Sequence, residues 1–182
     1  MSRIAPITAE HQSILECLGI LQLIADRMEA GDFVDPQDVS TVLEFLRDVG
    51  CECLDGTEKL LLRPALQRAK KRELTERLQA ALACHEAVRP LFDNAAADVG
   101  FRKFFVLHAH LLTKLVRDLI QEEDQYLLFE VAGLLNDPDG ITKIKEFLDH
   151  EQRVHAIALQ KRPAVNRLGA KYAYPQASAT PS

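Results

Sequence analysis

Apolar residues recur at three- and four-residue spacing along most of the chain, and this spacing predicts α-helices rather than strands. The first predicted helix follows Thr8 as its N-cap and ends at the sequence EAGD, residues 29–32. The second has Asp35 as N-cap and Pro36 at its first helical position, and it runs to Pro64. Gly50 and Gly56 weaken this second helix locally.

Three further helices follow from the same periodicity. They cover about 74–94, 101–135 and about 141–159. Pro90 is expected to kink the third helix or end it early. Four long amphipathic helices joined by short loops predict an all-α fold, namely an antiparallel up-down four-helix bundle over residues 1–172. The additional C-terminal helix would pack on the outside or at one end of the bundle, and residues 173–182 read as a disordered tail.

Two similar motifs place a carboxylate among leucines. The segments LDGTEKLLL (54–62) and LIQEEDQYL (119–127) share the pattern L-x-x-x-E-x-x-x-L, so Glu58 and Glu123 each lie on a leucine face. A carboxylate in such a place is costly unless it is paired. His11 and His85 lie on the apolar stripes of the first and third helices. One histidine or glutamate per helix, in alternation, is the arrangement from which helical bundles build metal centres.

Several of these segments together resemble a known family. AEHQSILECL, GDFVDPQDVSTVLEFLRD, ACHEAVRPL and RDLIQEEDQYLLF are similar to the hemerythrin-like proteins, the group of HHE cation-binding domains. The resemblance covers nearly the whole chain, and it implies a helical bundle with a non-haem di-iron centre for oxygen binding, sensing or redox chemistry. The ligand positions that it implies here are His11, Glu58, His85 and Glu123.

The chain departs from the family pattern at the metal ligands themselves. Leu54 and Leu119 stand where the two H-x-x-x-E motifs of the family carry histidine, and leucine cannot ligate a metal. Arg63-Pro64 replaces the usual Phe-Pro after the first motif, and Leu128-Phe129 replaces it after the second. A pair of iron ions would be poorly held by the ligands that remain.

Two outcomes of this loss stay open at the level of sequence. Two histidines and two carboxylates suit one divalent ion such as iron or zinc, with Asp55 as a replacement ligand. Alternatively, no metal is bound, and the histidines pair with Glu58 and Glu123 in a polar network. In either case we expect a divergent hemerythrin-like protein with a degenerate centre, acting as a binding, regulatory or assembly protein rather than as an enzyme.

Two other functions are compatible with the sequence. A dinuclear iron centre completed by Asp55 and water would make the chain an oxygen-binding protein or an oxygen or redox sensor. A scaffold subunit of a larger assembly would instead expose an apolar patch on the fifth helix or the carboxy-terminal segment. Its partner would be another protein or a second copy of the chain.

Charge and composition narrow the class of partner. The net charge of −5 argues against nucleic acid, which requires a basic face. No run of eighteen apolar residues occurs, so no membrane insertion is expected. The amino terminus lacks the plan of a secretory signal, and the four cysteines form no CxxC pair, so we expect reduced thiols in a cytoplasmic protein.

Overall fold

The computed structural model describes residues 7–173, with side chains from Ala9 onward, and this part of the chain is helical without any strand. The prediction of an all-helical protein is therefore confirmed. Five helices follow one another and are separated by short turns. They are α1 (Ile7–Ala30), α2 (36–68), α3 (Arg72–Ala97), α4 (102–134) and α5 (Pro138–Ala173).

Helices α2 and α4 contain π-helical segments. In α2 the α-helical stretches Pro36–Phe45, Glu52–Thr57 and Arg63–Arg68 alternate with the π segments Leu46–Cys51 and Glu58–Leu62. In α4 the π segment Glu123–Leu127 separates Arg102–Glu122 from Leu128–Leu134. Glu58 and Glu123 each begin a π segment, so the two similar motifs share this local geometry. Such segments are rare and are frequent at functional sites.

Polar caps fix several helix ends. The Asp35 side chain accepts a hydrogen bond from the backbone N–H of Gln37 at 2.9 Å, and Pro36 occupies the first turn, as predicted. Helix α1 already includes Ile7 and Thr8, so Thr8 is not its N-cap, and it ends at Ala30, directly before Gly31, which has a positive φ of 98°. At the start of α5, the Asp137 carboxylate accepts from the N–H of Gly140 at 2.6 Å.

The helices continue through three prolines, and the sequence favoured an end at Pro64 and a kink or an early end at Pro90. α2 extends past Pro64 to Arg68, α3 passes through Pro90, and α5 passes through Pro163 far beyond residue 159. The ends predicted at Pro64 and at about residue 159 were wrong, as was an early end at Pro90, because the stretches after the prolines are anchored in the core. Their buried residues are Ala65 after the first, Phe92 and Ala95 after the second, and Val165, Leu168 and Tyr172 after the third. A kink at Pro90 stays a prediction. Of the predicted tail, only Ala173 lies within the described residues.

Contacts between helices place α1 against α2, α4 and α5, and α3 against α2 and α4, while α5 also packs on α2. One apolar cavity of about 10 Å³ is lined by side chains from α1 to α4, including Leu18, Leu54, Val88 and Leu112. That volume is at or below what one water molecule needs, so these four helices meet in a closely packed core. Among the described helices, none combines the length and the apolar character that a bilayer span requires.

Candidate functional site

Glu123 lies fully buried between two histidines from other helices. Its Oε1 is 2.7 Å from Nε2 of His85, and its Oε2 is 3.5 Å from Nε2 of His11. The side chains of both histidines are buried as well. Because a carboxylate can only accept hydrogen bonds, the short contact is one in which the His85 N–H donates to Glu123. Three of the predicted ligand residues, one each from α1, α3 and α4, thus come together.

His11 has a second carboxylate partner. Its Nδ1 lies 2.7 Å from Oδ1 of Asp124, the residue next to Glu123. Burial lowers the pKa of His11, but the hydrogen bond to Asp124 and the negative charges of Glu123 and Asp124 outweigh burial, so the net pKa is raised. The imidazolium form of His11 therefore persists to higher pH than in an ordinary histidine, and it places one positive charge between two carboxylates.

The fifth helix adds a carboxyl that the sequence reading missed. Glu151 is buried, and its Oε2 lies 3.9 Å from the thiol of Cys53 on α2. Burial, reinforced by the charge of Glu10 and opposed by that of His11, raises the pKa of Glu151 to about 7. The available signal was its position on the apolar stripe of α5, which runs Ile144, Phe147, Glu151, Val154 and Ala158.

The thiol beside Glu151 is a neutral donor. Burial raises the pKa of Cys53 well above its ordinary value, and the charges of Glu151 and Glu123 raise it further. All four cysteines carry free thiols. A second polar pair joins α1 to α5 close by, since Oε1 of the buried Glu10 lies 2.5 Å from Nδ1 of His155. Each of the five helices therefore contributes a polar side chain to this region.

Glu58 and Asp55 have other partners. Arg63 donates from Nε to Glu58 Oε1 at 2.7 Å and reaches Glu86 at 3.2 Å, so arginine, and not a histidine as expected, is the partner of Glu58. The reason is the π segment, whose wider turn brings the residue five positions on beside Glu58. Asp55 accepts from Arg89 at 2.9 Å and from Lys59 at 3.3 Å. Metal ligation by Glu58 and Asp55 stays a prediction.

The two leucines at the expected histidine positions are core residues. Leu54 and Leu119 are both buried, and Leu54 lines the small apolar cavity shared by α1 to α4. Their apolar side chains occupy the positions at which the hemerythrin-like pattern has histidine. The donor set of this chain therefore does not fit a pair of iron ions, because the histidine ligand of each motif is replaced by leucine and Glu58 is paired with Arg63.

A single ion fits the donor chemistry better. Four buried polar atoms in this region have no hydrogen-bond partner within the described residues: Nε2 of His11, Nδ1 of His85, Oε2 of Glu123 and Oε1 of Glu151. Imidazole and carboxylate together suit zinc or iron(II). These donor atoms are not gathered as a preformed site. In the described part of the chain, the one group of three whose ligand atoms lie within 4.8 Å of one another is Asp26, Glu29 and His110 on the surface.

The surface group of Asp26, Glu29 and His110 has no feature that marks it as a metal site. His110 Nε2 is 3.6 Å from Asp26 and 4.0 Å from Glu29, which are ordinary contacts between a histidine and acidic neighbours. Both carboxylates are more than half exposed.

Comparison of the chain with known protein families, with curated proteins and with solved structures finds no match.

Proposed function

We propose that the chain is a divergent hemerythrin-like protein in which a histidine–glutamate network takes the place of the di-iron centre. In this proposal the network holds at most one divalent metal ion, and the protein works by binding another molecule in a regulatory or assembly role. The observation that carries the proposal is the position of Glu123, whose two oxygens face His85 and His11. A carboxylate held in this way has little need of a metal to compensate its charge.

We also propose that α1 to α4 form the four-helix bundle. Helices α1 and α4 run in opposite chain directions, since His11 lies beside Asp124 and Gln22 lies beside Arg117. Opposite directions also follow for α2 and α3 from the pairs Arg63–Glu86 and Asp55–Arg89. These pairs support an antiparallel up-down arrangement of α1 to α4.

Pairs that involve α5 favour a place for it outside that bundle. Lys161 contacts Asp48, and Lys171 contacts Asp38, so α5 runs antiparallel to α2. His155 pairs with Glu10, so α5 also lies along α1. A fifth helix against α1 and α2 would bring Glu151 to the edge of the centre.

Charge balance supports a network that is stable without metal. His11 as imidazolium faces Glu123 and Asp124, and His85 donates to Glu123. A buried ion pair is tolerated when charge-assisted hydrogen bonds accompany it, and here these are the His85–Glu123 and His11–Asp124 contacts. Glu151 contributes no charge below its raised pKa of about 7, which limits repulsion among the carboxylates.

A single bound metal ion would be held by His11, His85 and Glu123, with Glu151 as an additional carboxylate ligand. Zinc or iron(II) in such a site would supply a crosslink between helices. Each histidine would then give up a contact that it now makes to a carboxylate, so we expect weak binding.

Metal content per chain tests the proposal. The protein is purified from iron-supplemented and zinc-supplemented cultures, and metals are measured by elemental analysis beside Glu123→Gln and Glu58→Gln, with circular dichroism as the folding control. We expect no metal, or one ion that is lost in Glu123→Gln and kept in Glu58→Gln. Two irons per chain with a visible charge-transfer band, lost in both variants, would overturn the proposal.

A further inference from the structure

The thiol of Cys53 on α2 lies in the buried region to which the proposed centre belongs, yet that centre gives it no role. The Cys53 side chain is fully buried, and its Sγ lies 3.9 Å from Oε2 of Glu151 on α5. Burial raises the pKa of Cys53, and the charges of Glu151, Glu123 and Glu10 raise it further. Carboxylates from α1, α4 and α5 are therefore close enough to act on this sulfur.

The polar side chains around Cys53 have donor atoms to spare. Oε1 of Glu151, Oε2 of Glu123 and Nε2 of His11 are buried and have no hydrogen-bond partner within the described residues. The side chains of His11 and Glu123 are 1% and 0% exposed, and Glu151 is 2% exposed. A polar atom that is buried without a partner is costly, and a cation bound between these atoms would satisfy them together.

His11 is oriented for ligation by its other ring nitrogen. Because a carboxylate only accepts hydrogen bonds, the contact of 2.7 Å between Nδ1 and Asp124 places a proton on Nδ1. Nε2 lies 3.5 Å from Oε2 of Glu123, which is longer than the usual N–H···O distance. A carboxylate that holds one ring N–H in this way fixes the tautomer in which the other nitrogen can bind a metal.

Two pairs of these donor atoms have nearly the separation of two ligands on one ion. Bonds from zinc to nitrogen, oxygen and sulfur place the ligands of a tetrahedral site about 3.3–3.7 Å apart. His11 Nε2 and Glu123 Oε2 are 3.5 Å apart, and Cys53 Sγ and Glu151 Oε2 are 3.9 Å apart. The two pairs are not gathered around one point. Ligation therefore requires rotation of the Cys53 and Glu151 side chains toward His11.

We propose that the Cys53 thiolate joins the histidine and glutamate ligands of the single-ion site, and that the ion is zinc. This inference rests on the proposed function, that the centre holds at most one ion, and it names the metal and the ligand that selects it. Thiolate sulfur is a soft ligand that favours zinc over iron(II), whereas imidazole and carboxylate suit both. As the sulfur–zinc bond forms, the thiol proton is released to the solvent.

The charge of the region favours a cation even though it disfavours a thiolate without metal. The region contains the carboxyl groups of Glu10, Glu123, Asp124 and Glu151 and the imidazoles of His11, His85 and His155. Negative charges that oppose ionisation of Cys53 attract a divalent ion to the same place. Once the ion is bound, its own charge reverses the effect of these carboxylates on the sulfur.

Cobalt(II), which can replace zinc and is coloured, tests the sulfur ligand in the full-length protein. Titration of the metal-free protein with cobalt(II) without oxygen should give a near-ultraviolet thiolate-to-cobalt charge-transfer band, and zinc should abolish the band by displacing cobalt. Cys53→Ser should lose the band. Cys84→Ser removes a partly exposed thiol from α3 and should keep it. Circular dichroism confirms that each variant is folded.

Metal affinity separates the ligand from the residue that orients it. Competition with a chromogenic chelator should show that Cys53→Ser weakens zinc binding by about tenfold or more and leaves iron(II) binding nearly unchanged. Asp124→Asn should weaken zinc binding by about tenfold and keep the cobalt band, because Asp124 contacts His11 and not the ion.

X-ray absorption at the zinc edge tests the inference without any variant. The zinc-loaded parent protein should show one sulfur atom at about 2.3 Å from zinc. A zinc shell of nitrogen and oxygen alone, a cobalt band that survives in Cys53→Ser, or no binding of zinc and cobalt would overturn the inference. These results leave the proposed function standing, since it allows one ion or none, whereas two irons per chain would overturn the proposed function itself.

Discussion

The carboxylate of Glu123 lies 2.7 Å from Nε2 of His85, and both side chains are buried. Glu58, which occupies the same place in the first of the two similar motifs, is instead paired with Arg63 at the edge of the core. One motif therefore supplies the buried centre, while the other forms a partly exposed ion pair.

Loss of the two glutamates should have unequal effects on stability. Glu123→Ala leaves His11 and His85 in the core without their shared carboxylate, and breaking such a buried pair costs about 3–5 kcal/mol in the free energy of unfolding. Glu58→Ala should lose only a small fraction of that, since Arg63 is half-exposed. Urea denaturation followed by circular dichroism measures both. Equal losses would contradict the assignment of Glu123 alone to the buried centre.

Glu151→Gln should change how stability depends on pH. The pKa of Glu151 is raised from 4.5 to about 7, so the folded state binds more protons than the unfolded state between those values. Stability should therefore fall as pH rises through this window, by about 3 kcal/mol from this carboxyl. Glu151→Gln should remove that fall and be more stable than the parent protein at pH 8.

The raised pKa of His11 acts in the same direction. Its contribution is fully present below 6.5 and is lost as pH rises through the higher pKa of the folded state. The Glu151 effect is therefore taken from the difference between the parent protein and Glu151→Gln in denaturation series with a metal chelator present. If the two proteins change in parallel from pH 4.5 to 8, Glu151 is not the buried carboxyl described here.

Gly56 should be required for the close approach of α5 to α2. A Cβ at this position would overlap the ring of His150, whose Nε2 lies 2.9 Å from the carbonyl oxygen of Glu52. Gly56→Ala should therefore destabilise the protein by about 1–3 kcal/mol, despite the better helix propensity of alanine. Gly133→Ala in α4 is the control, because a Cβ added at Gly133 would have no neighbouring side chain within 4 Å. A stabilising Gly56→Ala would show that α5 does not rest on this glycine.

Much of the helical structure was predictable because local sequence patterns determine where the helices lie. The period of apolar residues located all five helices, and the Asp35-Pro36 signal located the start of α2. The observed ends beyond Pro64 and residue 159, and the passage of the third helix through Pro90, were not predictable in the same way. Local propensity argues for a break there, and burial of later residues such as Phe92 and Tyr172 overrides it.

The centre was predictable in part for the same reason. His11, His85 and Glu123 lie on apolar stripes, so periodicity places them inside without any knowledge of packing. Glu58 shows the limit, because its partner Arg63 is five residues away and becomes a neighbour only through a π segment. Glu151 also lies on the apolar stripe of α5. The packing of α5 against α1 and α2, however, cannot be predicted from residue spacing along one helix.

The central claim is that Glu123, and not Glu58, lies between the two buried histidines, His85 and His11. The most direct measurement is the set of imidazole ¹⁵N resonances of the 6 histidines in the metal-free protein, compared with Glu123→Gln and Glu58→Gln. The account predicts that Glu123→Gln shifts the resonances of His11 and His85 together, while Glu58→Gln leaves both unchanged. Resonances of His11 and His85 that respond to Glu58→Gln and not to Glu123→Gln would contradict it.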